Sequence, residues 1–303
     1  MGLHHPGPDH RARSTPASRF ASIVLALATM LASGCNTGSD PASAPSHRQG
    51  TGPLPRPDIG AAAALILQHA GPHRLVLLGE KHGTVEAPQL ALQLLEHWST
   101  QGTAWLAMEV WQADQPLLDA YLQFGCADAQ RLALRAGAFW TIDHDRHDGR
   151  RNAAALELVD AVCRLRSAGN DVRILAFDPG PYGGDNHARS RQMADTLRQQ
   201  FASLPANGRL LVIAGNVHAM RARPRNAPVQ MQIPMGHHLL DLDPYSIDLL
   251  ARSGAFQACL PSGCGPMPVQ LPPTIRSGPV NGPYHLRIVL DRFTVAALLG
   301  SKP

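Results

Sequence analysis

Short apolar runs that each end in polar residues constrain the fold of this chain more than any other sequence feature. Each run is long enough for one buried strand and too short for a buried helix. Segments with apolar residues at helical spacing separate the runs, and this alternation is typical of a parallel sheet with crossover helices. The runs predicted to be strands are residues 75–78, 105–108, 172–177 and 210–214. The segments predicted to be helices are residues 87–98, 152–167 and 185–201.

The C-terminal third has a different pattern, with shorter apolar runs and a stretch rich in proline and glycine. This stretch, residues 261–283, is predicted to be a loop. We expect the short runs to form strands that extend the sheet or make a hairpin at its edge. These runs are residues 231–234, 239–242, 246–251, 285–290 and 293–299. The predicted fold class is α/β, with a mainly parallel central sheet flanked by helices and extra C-terminal strands.

The N-terminal segment is typical of an export signal rather than of a folded domain. Three arginines precede an apolar run, residues 21–32, that is too short to span a bilayer as a mature helix. Small residues then lead directly to Cys35, which predicts lipidation of that cysteine; an ordinary signal peptide with an incidental Cys35 is the alternative. We expect a lipoprotein signal peptide over residues 1–34, a flexible tether over 35–57 and a single α/β domain over 58–303.

This organisation predicts a protein of the bacterial cell envelope. A lipid anchor on Cys35 would hold the chain on a membrane, with the domain facing the periplasm or the exterior. The formal charge of +4 falls to +2 without residues 1–34, because those residues hold three Arg and one Asp. So small a charge does not favour a nucleic-acid partner.

The cysteine count agrees with export. Lipidation of Cys35 would leave four cysteines, and an even number in an oxidising compartment suggests two disulfides. Cys259 and Cys264 enclose a turn-like segment that a local bond could close. Cys126 and Cys163 then pair by elimination, although three pairings are formally possible. A zinc site is the competing interpretation, but no CxxC spacing supports it.

Polar residues suited to catalysis follow the four predicted central strands. Because the carboxyl ends of parallel strands share one edge of a sheet, and open α/β sheets bind ligands there, these side chains are expected to converge. The alternative is that they cap helices and hydrogen-bond loops, and Asp178 also fits a plain turn. The converging residues are Glu80, His82, Glu109, Asp178, Asn216 and His218.

These residue types suit two chemistries. His82 could take a proton from water while Glu80 or Glu109 orients the ring, with Glu86 nearby. Alternatively, His82, His218 and one or two carboxylates could hold a divalent metal that lowers the pKa of bound water. The sequence leaves both open.

The polar loop of residues 137–149 is a further candidate because it follows the second strand and its helices. As a lid over the same edge, it would bring His144 and His147 to the pocket as substrate-contacting or metal-binding side chains. The alternative is a solvated loop that leads into a helix, with Asp148 near the helix N-cap.

Two motifs at the strand ends resemble those of the erythromycin esterase, ChaN and Tiki superfamily. The first is Gly-Glu-Lys-His-Gly-Thr at residues 79–84, and the second is Gly-Asn-Val-His-Ala at residues 215–219. Glu86, Glu109 and Asp178 accompany them. The resemblance implies a parallel-sheet α/β core over about residues 70–220.

The branches of this superfamily imply different activities. Likeness to the esterases implies that His82 is a general base supported by Glu80. Likeness to Tiki-type members implies a metal-dependent protease with Glu80, His82 and His218 as metal ligands. Likeness to ChaN implies a lipoprotein that handles haem or iron.

The leading hypothesis is an envelope lipoprotein that hydrolyses an ester or amide of a small-molecule or peptide substrate through activated water. Glu80, His82, Glu109 and His218 would be catalytic, with or without a divalent metal. A non-catalytic haem or metal carrier is the alternative, and an inactive recognition domain is a third. Nucleotide binding and serine-hydrolase chemistry are disfavoured, because the chain has no GxGxxG, Walker or GxSxG motif.

Overall fold

The computed structural model describes residues 59–141, 147–180, 186–227, 233–260 and 262–300. The predicted signal peptide, tether, Cys35 and His144 lie outside these ranges. No helix in the described ranges is long and apolar enough to cross a membrane.

Helices and strands alternate through the first two thirds of the described chain, as the sequence predicts. The helices are α1 (Ile59–Ala70), α2 (Glu86–Ser99), α3 (Gln115–Gln123), α4 (Asp128–Arg135), α5 (Ala153–Ser167), α6 (Asn186–Ala202), α7 (Asn216–Ala219) and α8 (Met235–His238). The strands are β1 (Leu75–Glu80), β2 (Ala104–Trp111), β3 (Val172–Asp178), β4 (Arg209–Gly215), β5 (Tyr245–Leu260), β6 (Gly263–Pro268), β7 (Gly278–Pro279) and β8 (Leu286–Phe293).

One sheet organises these strands in the order β3-β2-β4-β1-β5-β8-β7, with β6 paired to β5. The pairs from β3 through to β8 are all parallel, whereas β6 and β7 pair antiparallel. The predicted α/β class with a mainly parallel sheet is therefore confirmed. The extra strands do both things that the sequence allowed, since β5 and β8 extend the parallel sheet and β5–β6 forms a hairpin.

Alternating side chains of the buried strands pack into two cores, one on each face of the sheet. On β1, Val76 and Leu78 join the core that includes α1, α2, α3 and α5. Leu75 and Leu77 join the core that includes α6 and α8. Both faces are covered, which explains why the strands are continuous apolar runs rather than alternating ones.

Four predictions for the C-terminal third are wrong in detail. Residues 240–242, predicted as strand, form a 3-10 helix. The predicted loop of residues 261–283 contains β6 and β7. In the predicted strand of residues 293–299, Val295 and Leu298 make only isolated bridges, to Thr84 and Asn152. In the predicted strand of residues 231–234, the described residues 233 and 234 are not strand.

Candidate functional site

The carboxyl end of β1 presents a hydrogen-bonded Glu–His pair. Glu80 is the last residue of β1, and its Oε1 lies 3.0 Å from Nδ1 of His82. The chain turns tightly after His82, since Gly83 has a positive φ of 72°. The backbone N–H of Gln257 on β5 donates to the carbonyl oxygen of His82 at 2.9 Å. The ring is thus fixed both through Glu80 and through its own backbone.

The surroundings of His82 favour its protonated form. Burial alone would lower the pKa of the imidazole, but the hydrogen bond to Glu80 and the charges of Glu109, Glu80 and Asp148 outweigh burial and raise it. Nε2 of His82 lies 3.9 Å from Oε2 of Glu109, which is beyond hydrogen-bond distance. This nitrogen is the one left for a reacting molecule.

Glu109 lies at the centre of the group, at an irregularity in the pairing of β2 with β3. Such bulges often redirect side chains next to active sites. Its Oε2 accepts a 2.9 Å hydrogen bond from the backbone of Gly215, and its Oε1 accepts from Arg150 and Arg189 at 3.1 and 2.7 Å. Burial raises the pKa of Glu109, but the positive charges around it, Arg150 first, hold the pKa well below its usual value. Glu109 is therefore ionised at neutral pH.

Two arginines join Glu109 to Asp178. Arg150 Nη1 lies 2.6 Å, and Arg189 Nη2 2.8 Å, from Oδ2 of Asp178, and Arg150 also pairs with Asp148 at 2.8 Å. Asp178 additionally accepts from the backbone N–H of Gly180 at 3.1 Å. The sequence allowed Asp178 to be either a site residue or part of a plain turn. In the structure Asp178 is both, because it accepts from Gly180 in a turn and binds the two arginines of the site.

His218 lies on α7, at the carboxyl end of β4. Its Nε2 is 3.1 Å from Nη1 of Arg189 and 3.9 Å from Oε1 of Glu109. Burial, together with the charges of Arg189, His82 and Arg150, lowers the pKa of His218 to about 4 against the opposing effect of Glu109. Of the two histidines that flank Glu109, His82 is therefore the more easily protonated, and His218 favours the neutral form.

Gly215 provides the space that His82 needs. A Cβ at this position would lie 2.8 Å from Nε2 of His82 and 3.1 Å from Cε1. The backbone angles of Gly215, φ −50° and ψ 137°, are ordinary for any L-residue. The requirement for glycine is therefore close approach and not backbone conformation.

Five of the predicted site residues converge, namely Glu80, His82, Glu109 and His218, together with Asp178, which Arg150 and Arg189 link to Glu109. The carboxylate of Glu86 instead binds the backbone N–H of Thr294 at 2.9 and 3.0 Å.

His147 and Asn216 have contacts of their own. His147 is fully buried, with Nε2 2.8 Å from the carbonyl oxygen of Leu299 and Nδ1 accepting from the N–H of Gly149 at 3.2 Å. The backbone carbonyl oxygen of Asn216 accepts from the Tyr284 hydroxyl at 2.8 Å. Whether these side chains contact a substrate stays a prediction.

Sequence reasoning missed the arginines of the site. Arg150 directly follows the polar loop of residues 137–149, and Arg189 lies in the first turn of α6, so a basic residue close in sequence to candidate carboxylates was the available signal. It also missed Asp248, which is buried in β5 beside Gly79 of β1. Burial raises the pKa of Asp248 against the charges of Lys81 and Arg287. Lys81 thus belongs to a second polar group, apart from its neighbours Glu80 and His82.

The cysteines pair as predicted, Cys259 with Cys264 from their spacing and Cys126 with Cys163 by elimination. The sulfur atoms of Cys126 and Cys163 lie 2.12 Å apart, and those of Cys259 and Cys264 lie 1.99 Å apart. The first pair joins the segment between α3 and α4 to α5, and the second closes the β5–β6 hairpin.

The donor set does not fit a divalent cation. In the described ranges no three His, Cys, Asp or Glu side chains are placed to share a metal ion. Arg150 and Arg189 already bind the carboxylates of Glu109 and Asp178. Two guanidinium groups in these positions would repel a cation.

Two cavities among the described residues do not fit haem. The cavity beside Glu80 and Glu109 has a free volume of about 20 Å³, room for about one water molecule. A larger cleft between α2 and α5, about 290 Å³, has no His, Met, Tyr or Cys in its lining to serve as an axial ligand.

Fold and site together define an α/β protein with a Glu–His pair at the carboxyl edge of a parallel sheet. The family described as haem-binding uptake, Tiki superfamily, ChaN matches residues 66–146 of the chain. The predicted resemblance to this superfamily is thereby confirmed. No curated protein matches the chain.

Solved structures share the fold. A Bacillus cereus protein, 11% identical, aligns with a TM-score of 0.51 over 76% of this chain and 91% of its own. A succinoglycan biosynthesis protein, 12% identical, aligns with a TM-score of 0.51 over 68% of this chain and 74% of its own. An erythromycin esterase mutant in its open conformation is 10% identical and covers 79% of this chain and 95% of its own, with a TM-score of 0.44. At such identities the first two similarities establish the architecture alone.

Proposed function

We propose that this chain is a hydrolase of the cell envelope that activates water with the Glu80–His82 pair and cleaves an ester or an amide. The observation that carries this proposal is the 3.0 Å contact between Glu80 and Nδ1 of His82. When the N–H at Nδ1 donates a hydrogen bond to Glu80, the other ring nitrogen, Nε2, carries a lone pair that can act as a base.

The reaction has two proton transfers. Nε2 of His82 takes a proton from water as the water oxygen bonds to the substrate carbonyl carbon. The protonated ring then gives this proton to the leaving oxygen or nitrogen as its bond to carbon breaks. Glu80, through its hydrogen bond, and the ionised Glu109 stabilise the imidazolium that exists between the two transfers. No metal enters this scheme.

Removal of the pair tests the proposal. The purified chain, His82→Ala and Glu80→Gln are compared on a panel of activated esters and fluorogenic peptides. General-base catalysis contributes about 10²–10⁴-fold, so His82→Ala should lose about that much kcat. The control is His97→Ala, an exposed histidine on α2. Full turnover by both site variants would contradict the proposal, as would loss of turnover on chelation and its recovery with a divalent metal.

A second candidate function, haem binding, is favoured by the description of the matching family. Titration of the chain with haem tests it, since an axial ligand shifts the Soret band. A saturable shift that His218→Ala abolishes would support a carrier; an unshifted band would dismiss it.

The envelope location is proposed from the N-terminal sequence. Growth with a labelled fatty acid should label the wild-type chain and not a Cys35→Ala variant. An unlabelled wild-type chain would remove the lipid anchor from the proposal.

A further inference from the structure

The contact between Arg189 and His218 determines which nitrogen of the histidine carries the proton. A guanidinium group has five N–H donors and no acceptor, and it stays charged at every pH of interest. Nη1 of Arg189 lies 3.1 Å from Nε2 of His218. A hydrogen bond at this distance requires a lone pair on Nε2. The proton of the neutral ring must therefore be on Nδ1.

This tautomer leaves a donor without a partner. Nδ1 of His218 is buried and makes no hydrogen bond with any described residue. An unsatisfied buried donor costs about 1–3 kcal/mol. The ring itself remains 19% exposed. Water does not reach the Nδ1–H in this conformation, so a ligand oxygen, which is as large as water, reaches it only when the partly exposed ring or its neighbours move.

The two histidines beside Glu109 consequently have opposite capacities. In His82, Glu80 binds the N–H and leaves the lone pair of Nε2 open. In His218, Arg189 binds the lone pair and leaves the N–H open. One ring can accept a proton from water, whereas the other can only donate a hydrogen bond.

We propose that Arg189 is a positioning residue that fixes His218 as the Nδ1–H tautomer, and that this N–H donates to the carbonyl oxygen of the bound ester or amide. His218 then stabilises the negative charge that develops on that oxygen, while His82 handles the proton. The inference rests on the proposed hydrolase function for its second half, whereas the tautomer itself is independent of any reaction.

Nitrogen-15 NMR of the histidine rings measures the tautomer directly. The His218 signals are assigned by their absence from His218→Gln. The wild-type chain should show a protonated Nδ1 and an unprotonated Nε2 between pH 6 and 8. Arg189→Met should move the proton partly or wholly to Nε2, whereas Arg189→Lys, which retains a cationic donor, should preserve the wild-type pattern.

Arg150→Met is the matched control. Arg150 binds the same carboxylates of Glu109 and Asp178, but the structure records no hydrogen bond from it to His218. The control variant should therefore keep the wild-type tautomer. A protonated Nε2 in the wild-type chain would overturn the inference, and so would an unchanged tautomer in Arg189→Met. If Arg189→Met does not fold, the wild-type spectrum and Arg189→Lys still decide.

Kinetics test the second half. Loss of one such donor typically lowers kcat by about 10²–10³-fold, so His218→Phe should show that loss with a smaller change in KM. His218→Gln, whose amide can donate, should recover part of the rate. The pH at half-maximal rate should stay that of His82 in both variants. Equal rates for wild type and His218→Phe would overturn the donor role.

The failures are distinguishable. Full turnover by His82→Ala would defeat the hydrolase mechanism but leave the NMR result standing. A wrong tautomer would defeat the inference while hydrolysis persisted.

Discussion

Single residues of this site depend on one another's charge. Glu80 and Glu109 raise the pKa of His82, whereas burial and the neighbouring Arg189, His82 and Arg150 charges lower that of His218. A base is useful only when it is unprotonated. The pH profile of the reaction should therefore follow His82.

The first prediction is a rising pH profile. Because the pKa of His82 is raised above its ordinary 6.5, kcat/KM should reach half its plateau above pH 6.5. Glu80→Gln removes the negative partner that raises this pKa, so the midpoint should move to lower pH. Stopped assays from pH 5 to 9 measure both profiles. Glu96→Gln, an exposed change on α2, should keep the wild-type midpoint; a midpoint that does not move in Glu80→Gln would contradict the assignment.

The second prediction concerns the glycine beside the base. Gly215→Ala places a methyl group 2.8 Å from Nε2 of His82, so the ring must shift. A displacement of this kind can cost about 10²-fold in rate. The measurement is kcat/KM alongside the unfolding temperature. Gly265→Ala, where a Cβ meets nothing within 4 Å, is the control. Equal activity in the two variants would show that His82 does not need this space.

At the scale of elements, the long strand β5 connects the sheet to the site. Its first half pairs with β1 and β8, and its second half pairs with β6. In that second half, Gln257 packs against Gly83 and Gly149. A Cβ added to either glycine would lie 2.5 Å from the Cβ of Gln257. The hairpin thus supports both the His82 turn and the loop before Arg150.

The third prediction separates this packing from backbone strain. Gly83 and Gly125 have similar positive φ angles, 72° and 66°, but only Gly83 has a close neighbour. Gly125→Ala should cost the left-handed penalty of about 1–2 kcal/mol. Gly83→Ala should cost about 1–3 kcal/mol more because it also overpacks Gln257. Urea unfolding measures both free energies, and equal losses would mean that the hairpin does not press on the turn.

At the scale of the whole molecule, residues 294–299 hydrogen-bond to two loops of the site, the turn after His82 (residues 83–85) and the start of α5 (residues 151–153). The carbonyl oxygen of Thr294 accepts from Val85, and Ala296 donates to Gly83, so one end of the segment holds the His82 turn. Hydrogen bonds from Ala153 to Ala297 and from Leu299 to Arg151 hold the start of α5. Glu86 and His147 also bind backbone atoms of this segment. The buried side chains of Glu86 and His147 therefore attach residues 294–299 to the site.

The fourth prediction is that deletion of residues 294–303 loosens both loops. Each lost hydrogen bond is worth about 1 kcal/mol, so the Val85 and Ala153 amides should exchange with solvent about fivefold faster or more. Hydrogen exchange followed by mass spectrometry measures this. Deletion of residues 301–303 alone is the control and should leave both loops protected. Unchanged protection in the longer deletion would refute the tie.

The strands and the residues at their ends show which parts of the fold and of the site could be predicted from the sequence. The central strands and the Glu80, His82, Glu109 and His218 group followed from apolar runs and the shared carboxyl edge of parallel strands. The short C-terminal segments were harder, because residues 240–242 have a strand-like composition and yet form a 3-10 helix. In such short runs, tertiary packing decides the conformation.

By itself, the sequence determined the α/β class, the four central strands, and where the polar side chains at their ends converge, because strand burial and chain direction are encoded locally. Only the tertiary structure decided how those side chains are charged. Arg189 meets Glu109 across 80 residues, and Arg150 meets it across 41. No local pattern specifies such contacts. They nevertheless raise the pKa of His82 and lower that of His218, because protonation of a buried group is set by its neighbours in space.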